Sequence, residues 1–181
     1  MASRRSWSIV VDASIARAAG GKDAVFPQSK HCRDFLSEML KICHKTVMTE
    51  QIFEEWKKHE SRFARTWRTG MIARSKLVNL GDVSDVDMKN EIDDLAVSQK
   101  DCAAMKKDAL LIAAALETDG LVASTDDTAR KLFSQACKNI ARLGPVIWVN
   151  PATDYEAVTQ WMRRGAKNSR GLRLKDYSAV S

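Results

Sequence analysis

Residues 106–133 read KKDALLIAAALETDGLVASTDDTARKLF, and the order of signals in this stretch decides the fold class. Residues 109–116 are apolar almost all round, which predicts a helix buried on every side. Gly120 supplies a stop. Leu121, Val122 and Ala123 then form a short strand-prone run. Ser124-Thr125-Asp126-Asp127 carries the side chains that begin helices. Between 127 and 141 the apolar residues Ala129, Leu132, Phe133, Ala136, Cys137 and Ile140 recur at helical spacing. Helix, strand, turn and helix in so few residues predict one unit of an α/β fold.

Working outward, residues 8–11 (SIVV) are a continuous β-branched run rather than an alternating one, as expected of a strand covered on both faces in a parallel sheet. Similar runs occur at 46–48 and 146–149. Between 29 and 44, Cys32, Phe35, Leu36, Met39, Leu40 and Cys43 fill one helical stripe. The resulting order β, α, β, α, α, β, α, β predicts a three-layer α/β/α sandwich with a mainly parallel central sheet. A last helix is expected after Thr153, where Thr153 and Glu156 match a capping box, ending near Gly165 and docked by Val158 and Trp161. The predicted organisation is a main domain over 1–150, a packed strand exit and helix over 151–165, and a basic tail over 166–181.

With 181 residues and 45% apolar side chains, the chain can bury a full core without disulfides or a structural metal. The apolar run Ile9-Val10-Val11 is cut by Asp12, too short for a secretory segment or a membrane span, so a cytoplasmic protein with reduced thiols and no membrane partner is expected. Cys32 and Cys43 invite a zinc reading with His31 and His44. On one helix, however, the two thiols stand roughly 16 Å apart, which makes them core residues instead. The net charge of +6 is uneven: residues 163–181 hold six basic side chains (Arg163, Arg164, Lys167, Arg170, Arg173, Lys175) against Asp176, or +5, leaving +1 for the rest. Two readings stand for this segment, a mobile arm that neutralises phosphates and a solubilising terminus.

The position of four acids points to chemistry. Asp12 directly follows the first strand, Glu50 starts a helix just after the second, Asp126 follows the 121–124 strand, and Asp108 is expected to open the Ala-rich helix. In a parallel sheet the strand carboxyl ends share one edge, where open α/β folds place their sites. First-turn acids also serve as helix caps, so Glu50, Asp108 and Asp126 each have a structural explanation. Asp12 is harder to explain so, because an acid ending a fully apolar strand faces desolvation. Clustered carboxylates raise one another's pKa, and a divalent cation is the usual resolution. All-oxygen ligands suit Mg²⁺ or Mn²⁺ rather than Zn²⁺.

SIVVDAS around Asp12, MTEQIFEEW around Glu50 and the block at 106–133 together resemble the signature of PIN domain nucleases, including VapC-like toxins, over about residues 8–150. The resemblance implies a PIN-like fold. It implies that Asp12, Glu50, Asp108 and Asp126 are the catalytic and metal-binding acids, with Asp12 and Asp108 as primary ligands and Glu50 and Asp126 reaching the ion directly or through water. Ser14 would orient Asp12, and Ser124 or Thr125 would fill the family's hydroxyl position before the last acid. The register there is open: both Ser124-Thr125-Asp126 and Thr125-Asp126-Asp127 fit. Asp126 is preferred, leaving Asp127 as a first-turn acid. Asp93 and Asp94 in EIDD are further candidates for a site acid, with a solvated face as the preferred reading.

The activity so implied is metal-dependent endoribonuclease cleavage of single-stranded RNA, giving 5′-phosphate and 3′-hydroxyl ends, with a homodimer and an antitoxin-like protein as partners. Arg62, Arg65 and Arg68, interleaved with Trp56, Phe63 and Trp67, are candidates for stacking and phosphate contacts, with Lys106, Lys107 and Arg130 beside the acids. The competing reading makes those aromatics core or dimer contacts. Gly20-Gly21-Lys22 lacks the spacing of a P-loop and is read as a loop after a short helix. Dehalogenase-like phosphatases and response-regulator receivers need a second acid that neither Ser14 nor Val11 supplies. The other function class that stands is a PIN-like module that binds RNA or a protein without cutting.

Overall fold

The computed structural model describes residues 6–20, 24–166 and 170–177. Five strands, β1 (Ser8–Val11), β2 (Lys45–Met48), β3 (Leu77–Asn79), β4 (Leu121–Ala123) and β5 (Ile147–Val149), form one sheet in the order β3-β2-β1-β4-β5, every pairing parallel. β1 is central because its side chains can be: Ile9, Val10 and Val11 are fully buried, and Ile9 is in register with both Thr46 and Leu121. β3 was not anticipated. It is a three-residue edge strand with no fully buried side chain, so it lacks the apolar run that marks the others.

Helices cover both faces, as expected of the three-layer sandwich. One layer holds α1 (Ala13–Ala18), α2 (Gln28–Lys41), α3 (Glu50–His59), α4 (Arg62–Ala73) and α8 (Tyr155–Arg163), which pack on one another. The other holds α5 (Val86–Asp93), α6 (Gln99–Leu116), α7 (Asp127–Ala136) and the short α9 (Leu174–Tyr177). The stripe of α2 behaves as read: Cys32, Phe35, Leu36 and Met39 are buried. Cys43 corrects the core assignment of the two thiols, since α2 stops at Lys41 and Cys43 is exposed beyond it. α7 also ends earlier than expected, at Ala136.

Two features of the last third depart from the sequence reading. The Thr153–Glu156 capping box does not form; Asp154 holds the N-cap position of α8, although Val158 and Trp161 are buried as expected. Nor is the basic segment after 165 wholly an arm. The backbone N–H of Trp148 donates to Leu172 and that of Leu174 to Val146, giving an antiparallel bridge between Ile147 and Arg173 along the β5 edge. Leu174 is fully buried, and the Arg130 guanidinium lies 4.2 Å from the Tyr177 ring centroid. Pairing of this kind blunts a sheet edge. The rest of the predicted tail, 167–169 and 178–181, lies outside the described residues, as do Gly21 and Lys22.

Among the described residues no helix is long and apolar enough to cross a membrane.

Candidate active site

The strand order places the site. The chain runs outward from β1 to β2 and β3, then returns to the far side of β1 for β4 and β5, so the order reverses between β1 and β4. Crevices at the carboxyl ends of such strands are where open parallel sheets bind ligands. Asp12 leaves β1 at this point, and its backbone N–H continues the ladder to Ala123 at 2.9 Å. The carbonyl just before it, on Val11, accepts the Trp56 indole N–H at 2.8 Å, which pins the strand end from below.

The Asp12 side chain does not cap α1. Its Oδ2 instead accepts two hydroxyls, Ser14 at 2.5 Å and Ser124 at 2.8 Å. Each hydroxyl also accepts a backbone N–H at 3.1 Å, Ser14 from Thr125 and Ser124 from Asp126. With their acceptor side so occupied, both hydroxyls have their protons directed at the carboxylate. Of the two hydroxyl candidates before Asp126, Ser124 bonds Asp12 through its side chain, while Thr125 contributes its backbone N–H to Ser14. The turn they tie is held from the other side by buried Asn150 at the end of β5, whose Nδ2 donates to Thr125 at 3.3 Å and whose Oδ1 accepts from Ala152 at 2.9 Å. Asn150 carried no signal in the sequence beyond following a strand.

Asp126 is the N-cap of α7, its Oδ1 accepting the Ala129 N–H at 2.8 Å, and Asp127 is the first helical residue. The cap geometry therefore separates the two acids in the order preferred from the sequence. Asp108 corrects an expectation: α6 begins at Gln99 with Ser98 as its cap, so Asp108 stands mid-helix and no capping role accounts for it. Burial pushes its carboxyl up to about 7, and the nearby charges of Asp12 and Asp126 push the same way. Glu50 is exposed in the first turn of α3, capped by Thr49.

All four acids line one cleft of about 1220 Å³, together with Ser14, Thr125 and Asp127. The four acids do not converge on one point: among the described residues no three Asp, Glu, His or Cys side chains stand close enough to hold an ion together. The sheet explains this. Glu50 follows β2 and Asp126 follows β4, on either side of β1, so strand spacing alone separates their backbones by roughly 10 Å. The hydroxyls and the α7 cap meanwhile hold Asp12 and Asp126 locally.

The basic residues need more correction. Trp56 and Trp67 are buried and stacked at 5.5 Å, each indole donating to a backbone carbonyl, so this stretch is core and not a base-stacking platform. Arg65 and Arg68 both pair with the buried Glu60, at 3.1 and 3.0 Å, and Arg68 also covers the Phe53 ring. Neither they nor Arg62 line the cleft. Arg130 is buried, paired with Asp154 at 3.0 Å. Lys106 and Lys107 do line it, though Lys106 is paired with Asp93. Lys58 lines it too, as do Arg17, His59 and Lys89, which were not anticipated because a cleft-lining cation and a solvated one look alike in a sequence.

Comparison with protein-family models, curated proteins and solved structures finds no match for this chain.

Proposed function

We propose that the chain is a metal-dependent endoribonuclease that hydrolyses phosphodiester bonds of single-stranded RNA at the switch-point cleft. One observation carries the reading: Asp108, mid-helix and without a capping duty, lines the same cleft as Asp12 and Asp126, and its carboxyl is raised to about 7 by burial and then by their charges. A fold gains nothing structural from such repulsion, whereas a site that takes up positive charge does.

The donor set is all carboxylate and hydroxyl oxygen, which fits Mg²⁺ or Mn²⁺. Asp12 and Asp108 would hold the ion, with Glu50 and Asp126 engaging it directly or through the waters that Mg²⁺ retains. When bound, such an ion activates water for in-line attack and stabilises the departing 3′ oxygen, leaving a 5′ phosphate. Ser14 and Ser124 keep Asp12 aimed by donating to one of its oxygens. The Asn150 tether keeps the Thr125 turn, and with it Asp126, against that pair.

The resemblance to VapC-like toxins extends the proposal to a cytoplasmic toxin that dimerises and is silenced by an antitoxin-like protein occluding the cleft. A second reading, a module that binds RNA or a protein without cutting, is favoured by one observation, the spacing that among the described residues keeps any three acids from gripping one ion. Incubation of labelled single-stranded RNA with Mg²⁺, Mn²⁺ or EDTA, beside the Asp12→Asn protein, separates the two. Metal-dependent cuts with 5′-phosphate ends, lost in the variant, support the nuclease. Intact RNA that is nevertheless retained by both proteins supports the module.

A further inference from the structure

The cleft is lined by eight acids, Asp12, Glu50, Glu54, Glu55, Asp85, Asp108, Asp126 and Asp127, so a polyanion entering it needs cations that are not already spent. Most of the cations present are spent. Lys58 and His59 face Glu55 at 3.4 Å, Lys89 pairs with Asp85 at 2.8 Å, and Lys106 pairs with Asp93 at 2.5 Å. Arg17 and Lys107 differ: both are exposed, both line the cleft, and among the described residues neither has a carboxylate within ion-pair distance. They also come from opposite layers. Arg17 lies in the last turn of α1, one helical turn beyond Ser14, and Lys107 is next to Asp108 on α6. The sheet, whose β1 and β4 ends carry Asp12 and Asp126, lies between those two layers.

We infer that Arg17 and Lys107 form a two-sided phosphate grip that carries the backbone of a single strand across the acids, from the α1 layer to the α6 layer. The choice of ligand rests on the nuclease reading of the cleft; the placement of the two cations does not. An unpaired surface cation gains its full worth only when an anion arrives, whereas a paired one must first give up its partner. This relocates the nucleic-acid contact from the Arg62–Arg65–Arg68 face, two of whose arginines are held by Glu60. It also favours an extended strand over a duplex, because the contacts come from two walls of one cleft and not from a single face.

The test is binding, read without catalysis. Fluorescence anisotropy of a labelled single-stranded RNA is measured in EDTA over about 50 to 200 mM salt for the wild type, Arg17→Ala/Lys107→Ala, and Lys58→Ala/Lys89→Ala. Thermal melts check that all three fold alike. Loss of two phosphate contacts should make the slope of log affinity against log salt shallower by roughly 1.4 in the first variant, at about 0.7 per contact on a single strand. The second variant should keep the wild-type slope. The grip is overturned if the two variants lose slope equally, if neither loses any, if the wild type does not bind RNA, or if polyglutamate or duplex RNA competes as well as the single strand. A protein that shows the expected slopes but never cuts RNA retains the grip and loses only the nuclease assignment. One that cuts RNA with unchanged slopes retains the nuclease and loses the grip.

Discussion

Asp108 is the residue on which the electrostatics turn. Its carboxyl titrates near 7 in the folded chain against 3.8 for an unperturbed aspartate, so the folded state holds its proton longer than the unfolded one. The contribution of this group to stability is therefore greatest below about pH 4 and is lost as pH rises through about 7. Asp108→Asn, which carries no charge at any pH, should be more stable than the wild type by roughly 1–3 kcal/mol at about pH 8 and equal to it near pH 4, allowing for partial exposure. Urea melts in EDTA at the two pH values check this; an equal gain at both would mean that the buried charge at position 108 is not the cause. Ser124 is the opposite case, fully buried with its hydroxyl bonded to Asp12 and to the Asp126 N–H. Ser124→Ala should cost about 1–3 kcal/mol and lower RNA cleavage by roughly 10- to 100-fold, while Ser134→Ala, whose buried hydroxyl has no partner among the described residues, should leave cleavage unchanged.

At the scale of elements, β1 and β4 could be read from the sequence because a strand covered on both faces needs an unbroken apolar run. β3 could not, since three half-covered edge residues leave no such mark. The start of α6 was missed for a related reason: its first turns are mostly polar, with Met105 the first fully buried side chain, so the apolar pattern emerges only near Ala109. Arginine and tryptophan at the same spacing serve a stacking platform or a core equally well, and only the burial of Trp56 and Trp67 decides between them. The C-terminal pairing was hidden because Leu172 and Leu174 are two apolar residues among many charges. If that segment were free, Leu174→Ala would change little; with the side chain fully buried it should cost about 2–5 kcal/mol in chemical denaturation.

A second buried link joins elements at the opposite end of the sheet. His44, before β2, is fully buried, accepting the Trp7 N–H at Nδ1 (3.3 Å) and facing the Met162 carbonyl through Nε2 (3.2 Å). Burial holds its pKa below 6.5, with Lys76 adding to the effect. Because the unfolded chain takes up this proton first, stability conferred by neutral His44 should be full above about pH 6.5 and fall as the solution is acidified. His44→Asn should flatten that acid limb, and parallel pH profiles for the two proteins would exclude His44 as its source.

Across the whole molecule, the reversal of strand order at β1 brings acids from both helical layers to one edge of one sheet. The sequence could show which acids follow strands, but not how far apart the sheet would hold them, since that depends on strand order and local caps. The central claim is that four carboxylates so placed act on one ion through the waters it retains, although among the described residues no three of them stand close enough to grip it directly. Electron paramagnetic resonance of free Mn²⁺ titrated into the wild type and into Asp12→Asn, Glu50→Gln, Asp108→Asn and Asp126→Asn tests it most directly. The account predicts saturable binding by the wild type that weakens in all four variants, most in Asp12→Asn and Asp108→Asn. Mn²⁺ binding that is the same in the wild type and every variant, or absent from the wild type, would contradict it.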